Sequence, residues 1–282
     1  MPTRSGGMEL FMKAYKEQGK HPDDQIACLF NQNNFSWPAH WHIHVEFVYV
    51  LNGEIKVGIN ENVKILSKGD IAFIASNDIH YYENVSSEDR VVIFMIHPSL
   101  IHFHAGWPVS IHLENQFFTD VPQNVRDVLS GIAQNYDAKE EYKQFLLKSN
   151  IYSLFAFVLE HGECSDINDT QHRKIIQRER IQTVINYIEE NYSKDITLQD
   201  AAGVAYMHRN YFSSYFKIMC GMGFSRFLNI TRVTAAEKLL KNTELTVIEI
   251  AFRCGFDCVR TFNRVFLDVK GATPTMFRNS LV

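Results

Sequence analysis

Apolar and polar positions along the chain keep two different rhythms, and the change falls near residue 122. Before it, residues 26–97 read as short β runs. Phe47-Val48-Tyr49-Val50-Leu51 ends at the turn pair Asn52-Gly53, and Lys56 to Asn60 alternates. Val63 to Leu66 follows a polar turn, Ile71 to Ile74 follows Lys68-Gly69-Asp70, and Val91 to Ile96 is a buried-strand run. Strands this short and regular predict a small barrel or sandwich. After residue 122 the period becomes helical. Leu147, Ile151, Leu154, Phe155 and Val158 form one stripe, which suits either a dimer seam or packing on the chain's own barrel. Residues 162–172 are polar and predict a linker, and every segment after it is helical in pattern.

Two of those helical segments look alike. Leu198–Ala205, Tyr206-Met207-His208 and Arg209–Cys220 make a short helix, a turn and a second helix. Val247–Cys254, Gly255-Phe256-Asp257 and Cys258–Asp268 do the same, so each predicts a helix-turn-helix. Gly255 suits the left-handed backbone that ends a helix, and Asp257 suits the cap of the next. In the first unit Tyr211, Phe212, Tyr215, Phe216 and Met219 are expected inside, leaving Arg209, Asn210, Ser213, Ser214 and Lys217 outside. In the second, Phe262, Val265 and Phe266 are expected inside, leaving Arg260, Asn263 and Arg264 outside.

Charge sharpens this picture. The net charge of −4 is unevenly shared: residues 173–282 carry 16 Lys and Arg against 10 Asp and Glu, whereas residues 1–172 carry 12 against 22. The basic segment suits a polyanion and the acidic one would repel it. Five cysteines without a CxxC pair, and a polar start without a signal-peptide core, predict reduced thiols and a cytoplasmic protein. Cys254 and Cys258 make half a zinc site at most. No apolar run spans a membrane, and no Walker loop, GxGxxG or Ser/His/Asp set predicts an enzyme.

Residues 175–280 resemble the DNA-binding domain of the AraC-type transcription regulators. The resemblance is carried by Ile196-Thr197-Leu198, Ala202, Tyr211-Phe212, Phe216-Lys217, Gly221, Phe224, Phe227-Leu228, Arg232, Ala236, Leu239-Leu240, Ile248, Ile250-Ala251, Cys254-Gly255-Phe256, Phe262, Arg264-Val265-Phe266, Gly271, Thr273-Pro274 and Phe277-Arg278. It implies seven helices, with a long one over about 224–241 bridging the two units. It also implies that both second helices enter successive major-groove segments of double-stranded DNA. Asn210, Ser213 and Ser214, then Arg260, Asn263 and Arg264, become the base-contacting candidates, with Arg209 and Lys217 beside them. His208 stands where the family usually has a capping Ser, so the first recognition helix is expected to start less firmly. Ser213 and Ser214 are short for direct readout, so the second unit is expected to discriminate more.

His40-Trp41-His42-Ile43-His44-Val45-Glu46, followed by Gly53, resembles the first motif of cupin barrels. Gly69, His80 and Asn84 resemble the second, with Ala75 and Asn77 where Pro and Gly are usual. In metal-binding cupins the matching His40, His42, Glu46 and His80 would be ligands, a set that suits zinc, iron, manganese or nickel. His40, His42 and Glu46 are expected to alternate along one strand and point inward. The same groups, with Tyr49 and Tyr82, are candidates for an effector pocket, and a carbohydrate or related metabolite is the effector the resemblance suggests. The segment before Trp37 would be an arm closing over it. The His102/His104 pair is read as surface or pocket lining, and beyond it His97, His112, His161 and His172 make no ligand-spaced cluster.

The expected chain is α+β and multidomain: a cupin-like barrel at 8–120 and a helical dimerising segment at 121–161. A linker at 162–173 and an all-α double helix-turn-helix domain at 174–282 complete it. The expected function is a homodimeric, effector-responsive transcription activator that contacts RNA polymerase. It requires no cofactor; the open alternative is a metal-dependent cupin enzyme or metal sensor using His40, His42, Glu46 and His80.

Overall fold

A computed structural model describes residues 26–32, 35–85, 88–101, 111–135 and 139–280. These divide into two compact units, a β-rich one reaching to residue 174 and a helical one from residue 175. Residues 38–40 are by their hydrogen bonding part of a strand in the β-rich unit's sheet.

The β-rich unit holds two antiparallel sheets. One orders β1 (Ile26–Gln32), β8 (Arg90–Ile96), β3 (Val45–Asn52), β6 (Ile71–Ile74) and β10 (Phe117–Phe118). The other orders β2 (Trp37–His40), β7 (His80–Asn84), β4 (Glu54–Ile59) and β5 (Asn62–Ser67). The strands that alternation and turn residues predict over 47–96 all form. Alternation sorts β3 into two faces. Val48 and Val50 join Ile55, Val57, Ile59, Ile74, Ile93 and Met95 in one core. Val45, Phe47 and the partly buried Tyr49 join a second core with the helices that cover the sheet. Gly58 pairs with Tyr81 across β4 and β7, where a Cβ would sit 2.0 Å from the Tyr81 ring. Only glycine fits that approach.

The covering helices are α1 (Gln123–Asn135) and α2 (Glu141–His161). The stripe Leu147, Ile151, Leu154, Phe155 and Val158 is buried in the second core, with Phe155 at 5.2 Å from Phe47 and 5.9 Å from Phe73. Of the two roles this stripe suits, it takes packing on its own barrel. Each such side chain is worth roughly 1.5–3 kcal/mol over exposure. The opposite face of α2 leaves Tyr142, Phe145, Leu146 and Tyr152 exposed.

The polar stretch 162–172 differs from a linker. β11 (Cys164–Asp166) pairs antiparallel with β9 (Ile111–Leu113), and α3 (Asp169–Asn191) begins three residues after β11 ends. Asn168 accepts from the amides of Thr170 and Gln171 there, so polarity reflects an edge strand and a helix start.

Seven helices among the described residues make up the rest. They are α3, α4 (Leu198–Val204), α5 (Arg209–Cys220), α6 (Phe224–Asn242), α7 (Val247–Arg253), α8 (Val259–Lys270) and α9 (Pro274–Asn279). Capping boxes start both short helices, Thr197 with Asp200 at α4 and Thr246 with Glu249 at α7. The bridging α6 packs Val233, Ala236 and Leu240 against Ile250, Ala251, Phe262 and Phe266 of the second unit. No helix is long and apolar enough to cross a membrane among the described residues.

Candidate functional site

The polar cluster of the barrel rests on β3, β7 and the link between β2 and β3. His40 ends β2, but residues 41–44 leave the strand, so the alternation expected of His40, His42 and Glu46 does not hold. The link is pinned instead to the turn before β7. The Asn77 amide donates to His42 O at 2.9 Å, and the Ser76 hydroxyl to Ile43 O at 2.6 Å. Asn77 takes φ 65°, the left-handed conformation a glycine would supply at that motif position. Behind the turn, buried Asp78 accepts from Asn60 at 2.7 Å, Gln116 at 2.8 Å and the Ala75 amide at 3.1 Å.

One ligand atom from each of His40, His42, Glu46 and His80 lies within 4.8 Å of the others. Glu46 and His80 are fully buried or nearly so. The Nδ1 atom of His40 sits 3.0 Å from Pro38 O, that of His42 3.2 Å from His44 O and that of His80 2.9 Å from Asp78 O. A carbonyl on Nδ1 fixes each ring and leaves Nε2 to face the cluster, as outer groups do around metal-bound histidines. His42 Nε2 is 2.7 Å from Glu46 Oε1 and His80 Nε2 is 3.6 Å from Oε2. The Tyr82 hydroxyl donates to Glu46 Oε2 at 2.5 Å.

Burial alone would raise the Glu46 pKa, but His80 and His42 beside it hold its carboxyl well below the usual range. The reverse balance raises His80: burial opposes its charge and Glu46 outweighs burial. Burial and the neighbouring Glu46 push the Tyr82 phenol well up, so it stays a donor. Three imidazoles and one carboxylate fit a divalent transition metal.

One expectation needs correction here. Tyr49 lies on the opposite face of β3, packed with the helix-side core, and is no part of this cluster. Outside the ligand set, the His97 ring stands 5.1 Å from that of buried His44, which is 5.6 Å from His42. Burial, then His42 and His97, lower the His44 pKa to about 3, so it is neutral. The signal for His44 was present in the His-x-His-x-His run; nothing local pointed to His97. The His102/His104 pair and residues 1–25 of the arm lie outside the described residues, while 26–32 of the arm form β1.

The second candidate surface is formed by α5 and α8. Arg209, Asn210, Ser213, Ser214 and Lys217 are exposed on α5, and Arg260, Asn263 and Arg264 on α8. Their inner faces bury Phe212, Tyr215, Phe216 and Met219, and Phe262, Val265 and Phe266. Tyr211, expected inside, is instead exposed and stacks on Tyr215 at 5.7 Å. Leu267 adds an exposed apolar side chain to the outer face of α8. His208 does cap α5, its Nδ1 accepting from the Asn210 amide at a long 3.4 Å. Asp257 does not cap α8: the N-cap is Cys258, without a side-chain cap bond. The extra residue of the second turn displaces Asp257 from that place. Gly255 has φ 81°, as its position requires, and a Cβ there would meet Tyr192 O at 2.6 Å. All five cysteines are free.

Comparisons with known proteins match each of the two domains. Residues 201–280 match the helix-turn-helix domain and residues 29–97 the cupin domain. The chain is 25% identical over 268 residues to the uncharacterized HTH-type transcriptional regulator YdeC of Bacillus subtilis, covering 90% of this chain and 91% of that one. It is 22% identical over 235 residues to the uncharacterized HTH-type transcriptional regulator SAS0078 of Staphylococcus aureus, covering 82% of this chain but 31% of that longer protein. Among solved structures it is similar to an apo single-site variant of ToxT from Vibrio cholerae, at 15% identity and a TM-score of 0.49, with 93% and 100% of the chains covered. The chain thus carries a cupin domain followed by a helix-turn-helix domain, and its relatives over most of its length are named as HTH-type transcriptional regulators.

Proposed function

We propose that this regulator is a cytoplasmic, sequence-specific transcription activator that contacts RNA polymerase and responds to a small molecule held by the cupin domain. The observation that carries the DNA reading is the pairing of two matched helices, α5 and α8, each with an apolar inner face and a polar outer one. Arginine suits bidentate contacts to guanine and asparagine to adenine, so Arg260, Asn263 and Arg264 supply direct readout. Selection from a random duplex library is the test. The expected product is a bipartite sequence whose halves lie about 10 base pairs apart. Enrichment of no sequence overturns the reading. For the effector, the polar cluster and Tyr82 at the barrel core favour a polar metabolite, with a carbohydrate first. A thermal-shift screen of sugars reads this directly.

A second reading has its own support. The three histidines oriented through Nδ1 and converging on Glu46 favour a bound divalent metal, which makes the cupin domain a metal sensor or a metal-assisted ligand sensor. His40, His42, Glu46 and His80 would hold the ion, which would supply a Lewis-acidic position for an oxygen of the effector. Metal content of untagged protein, measured by plasma mass spectrometry beside a His40→Ala/His42→Ala variant, decides it. About one equivalent lost in the variant supports the metal reading; metal-free protein that still binds its selected duplex leaves the organic effector alone.

A further inference from the structure

The two helix-turn-helix turns open alike in backbone but not in side chain. In the second, the Gly255 amide donates to Phe252 O at 3.0 Å and the Phe256 amide to Ala251 O at 3.1 Å. In the first, Tyr206 and Met207 repeat the pattern, donating to Gly203 O and Ala202 O, each at 3.0 Å. Both turns pass through the left-handed region, Gly255 at φ 81° and Tyr206 at φ 53°. Glycine takes that conformation freely, whereas a bulky aromatic residue is strained in it. The backbone gains its two turn bonds, but the Tyr206 side chain contributes nothing to set against the strain. Tyr206 is 86% exposed, the most exposed large apolar residue among those described, and no hydrogen bond or ring contact from the described residues holds its side chain.

A strained backbone carrying an outward aromatic points to a partner outside the chain. Its position says which. Tyr206 stands three residues before the first residue of α5, beside exposed Arg209 and Asn210. The N-terminal end of a recognition helix enters the groove, so the turn before it approaches the rim where phosphates run. A tyrosine hydroxyl is a suitable donor to a phosphate oxygen. We propose that Tyr206 anchors the first helix-turn-helix to a DNA phosphate, so that this unit positions the protein while the arginine-bearing second unit reads sequence. The inference rests on the DNA-binding reading and adds a division of labour to it. The short Ser213 and Ser214 of α5 fit a unit that holds more than it reads.

The test uses the full chain as wild type, Tyr206→Phe and Tyr206→Gly. The probes are the duplex enriched by the wild-type protein and a scrambled duplex of equal composition. Melting temperature is read without DNA, and affinity at two salt concentrations. Tyr206→Gly is expected to melt roughly 3–6 °C higher, because the strain is relieved. It is expected to bind both duplexes about five- to tenfold more weakly. Tyr206→Phe shares the weakening at unchanged melting temperature. The preference for the enriched duplex and the salt slope stay as in wild type, since a neutral phosphate contact is lost. The proposal is overturned if Tyr206→Phe binds like wild type. It is equally overturned if Tyr206→Gly keeps full affinity or melts lower. Wild-type protein that enriches no duplex fails earlier, at the DNA-binding reading itself.

Discussion

Arg232, midway along α6, donates Nε to Tyr192 O at 2.8 Å and Nη2 to Lys194 O at 2.9 Å. It thereby satisfies two carbonyls at the end of α3, and its guanidinium lies 5.7 Å from the Phe256 ring of the second turn. One side chain ties three elements together. Arg232→Lys keeps the charge but has no fork to reach both carbonyls. It should lower stability by about 1–2 kcal/mol in urea unfolding of the full chain. An unchanged midpoint would show that these bonds are replaced by water without loss.

Base discrimination should be unequal between the two units. Arg264→Ala is expected to cost about 1–3 kcal/mol of preference for selected over scrambled duplex. Ser213→Ala and Ser214→Ala should each move it by less than about 0.5 kcal/mol. Competition binding with both duplexes measures this, and an intact preference in Arg264→Ala would sink the assignment.

Acid should act on the second unit through Glu237. This buried carboxylate on α6 pairs with Lys241 at 2.5 Å and with Lys270 at the end of α8. Burial would raise its pKa, and the two lysines overcome that and lower it. A depressed carboxylate contributes stability above its unfolded value, near 4.5, and loses it as pH falls through the folded value. Glu237→Gln should therefore cost about 1–2 kcal/mol at pH 7 and progressively less below pH 4.5. A deficit that is constant from pH 7 to 3 would argue against the ion pairs as its source.

Metal uptake by the barrel cluster should release protons. Glu46 outweighs burial and raises the His80 pKa, which favours its protonated form. A metal displaces that proton, so affinity should tighten between pH 6 and pH 8. Calorimetry in buffers of different ionisation enthalpy reads the release directly. Binding without proton release would place the metal elsewhere.

Self-association, if it uses the helical segment, should use the outer face of α2, since the inner stripe is spent on the barrel. Phe145→Glu combined with Leu146→Glu should convert a dimer to a monomer in sedimentation at micromolar concentration, with helical content kept because both side chains are exposed on the protomer. Wild-type protein that sediments as a monomer with and without DNA would remove the dimer from the mechanism.

Regular periods were legible in the chain, and departures from them were not. Ile71–Ile74 and the inner faces of α5 and α8 follow from alternation and helical spacing. The path of residues 41–44 does not, because it depends on Ser76 and Asn77, more than thirty residues away. Tyr211 shows the limit of a face argument: at the flank of its helix, stacking on Tyr215 serves as well as burial. The short run 162–172 was misleading since its polar side chains serve an edge strand and a helix start.

The pinned link between β2 and β3 separates what the barrel needs from what its chemistry needs. Val48 and Val50 answer to the core, whereas His42 hangs on a four-residue detour outside the strands. Substitution of the partly exposed His42 can therefore alter the cluster at less cost to folding than substitution of a core valine. Chains that share this scaffold are free to differ in the cluster, and the place to look for that divergence is those four residues.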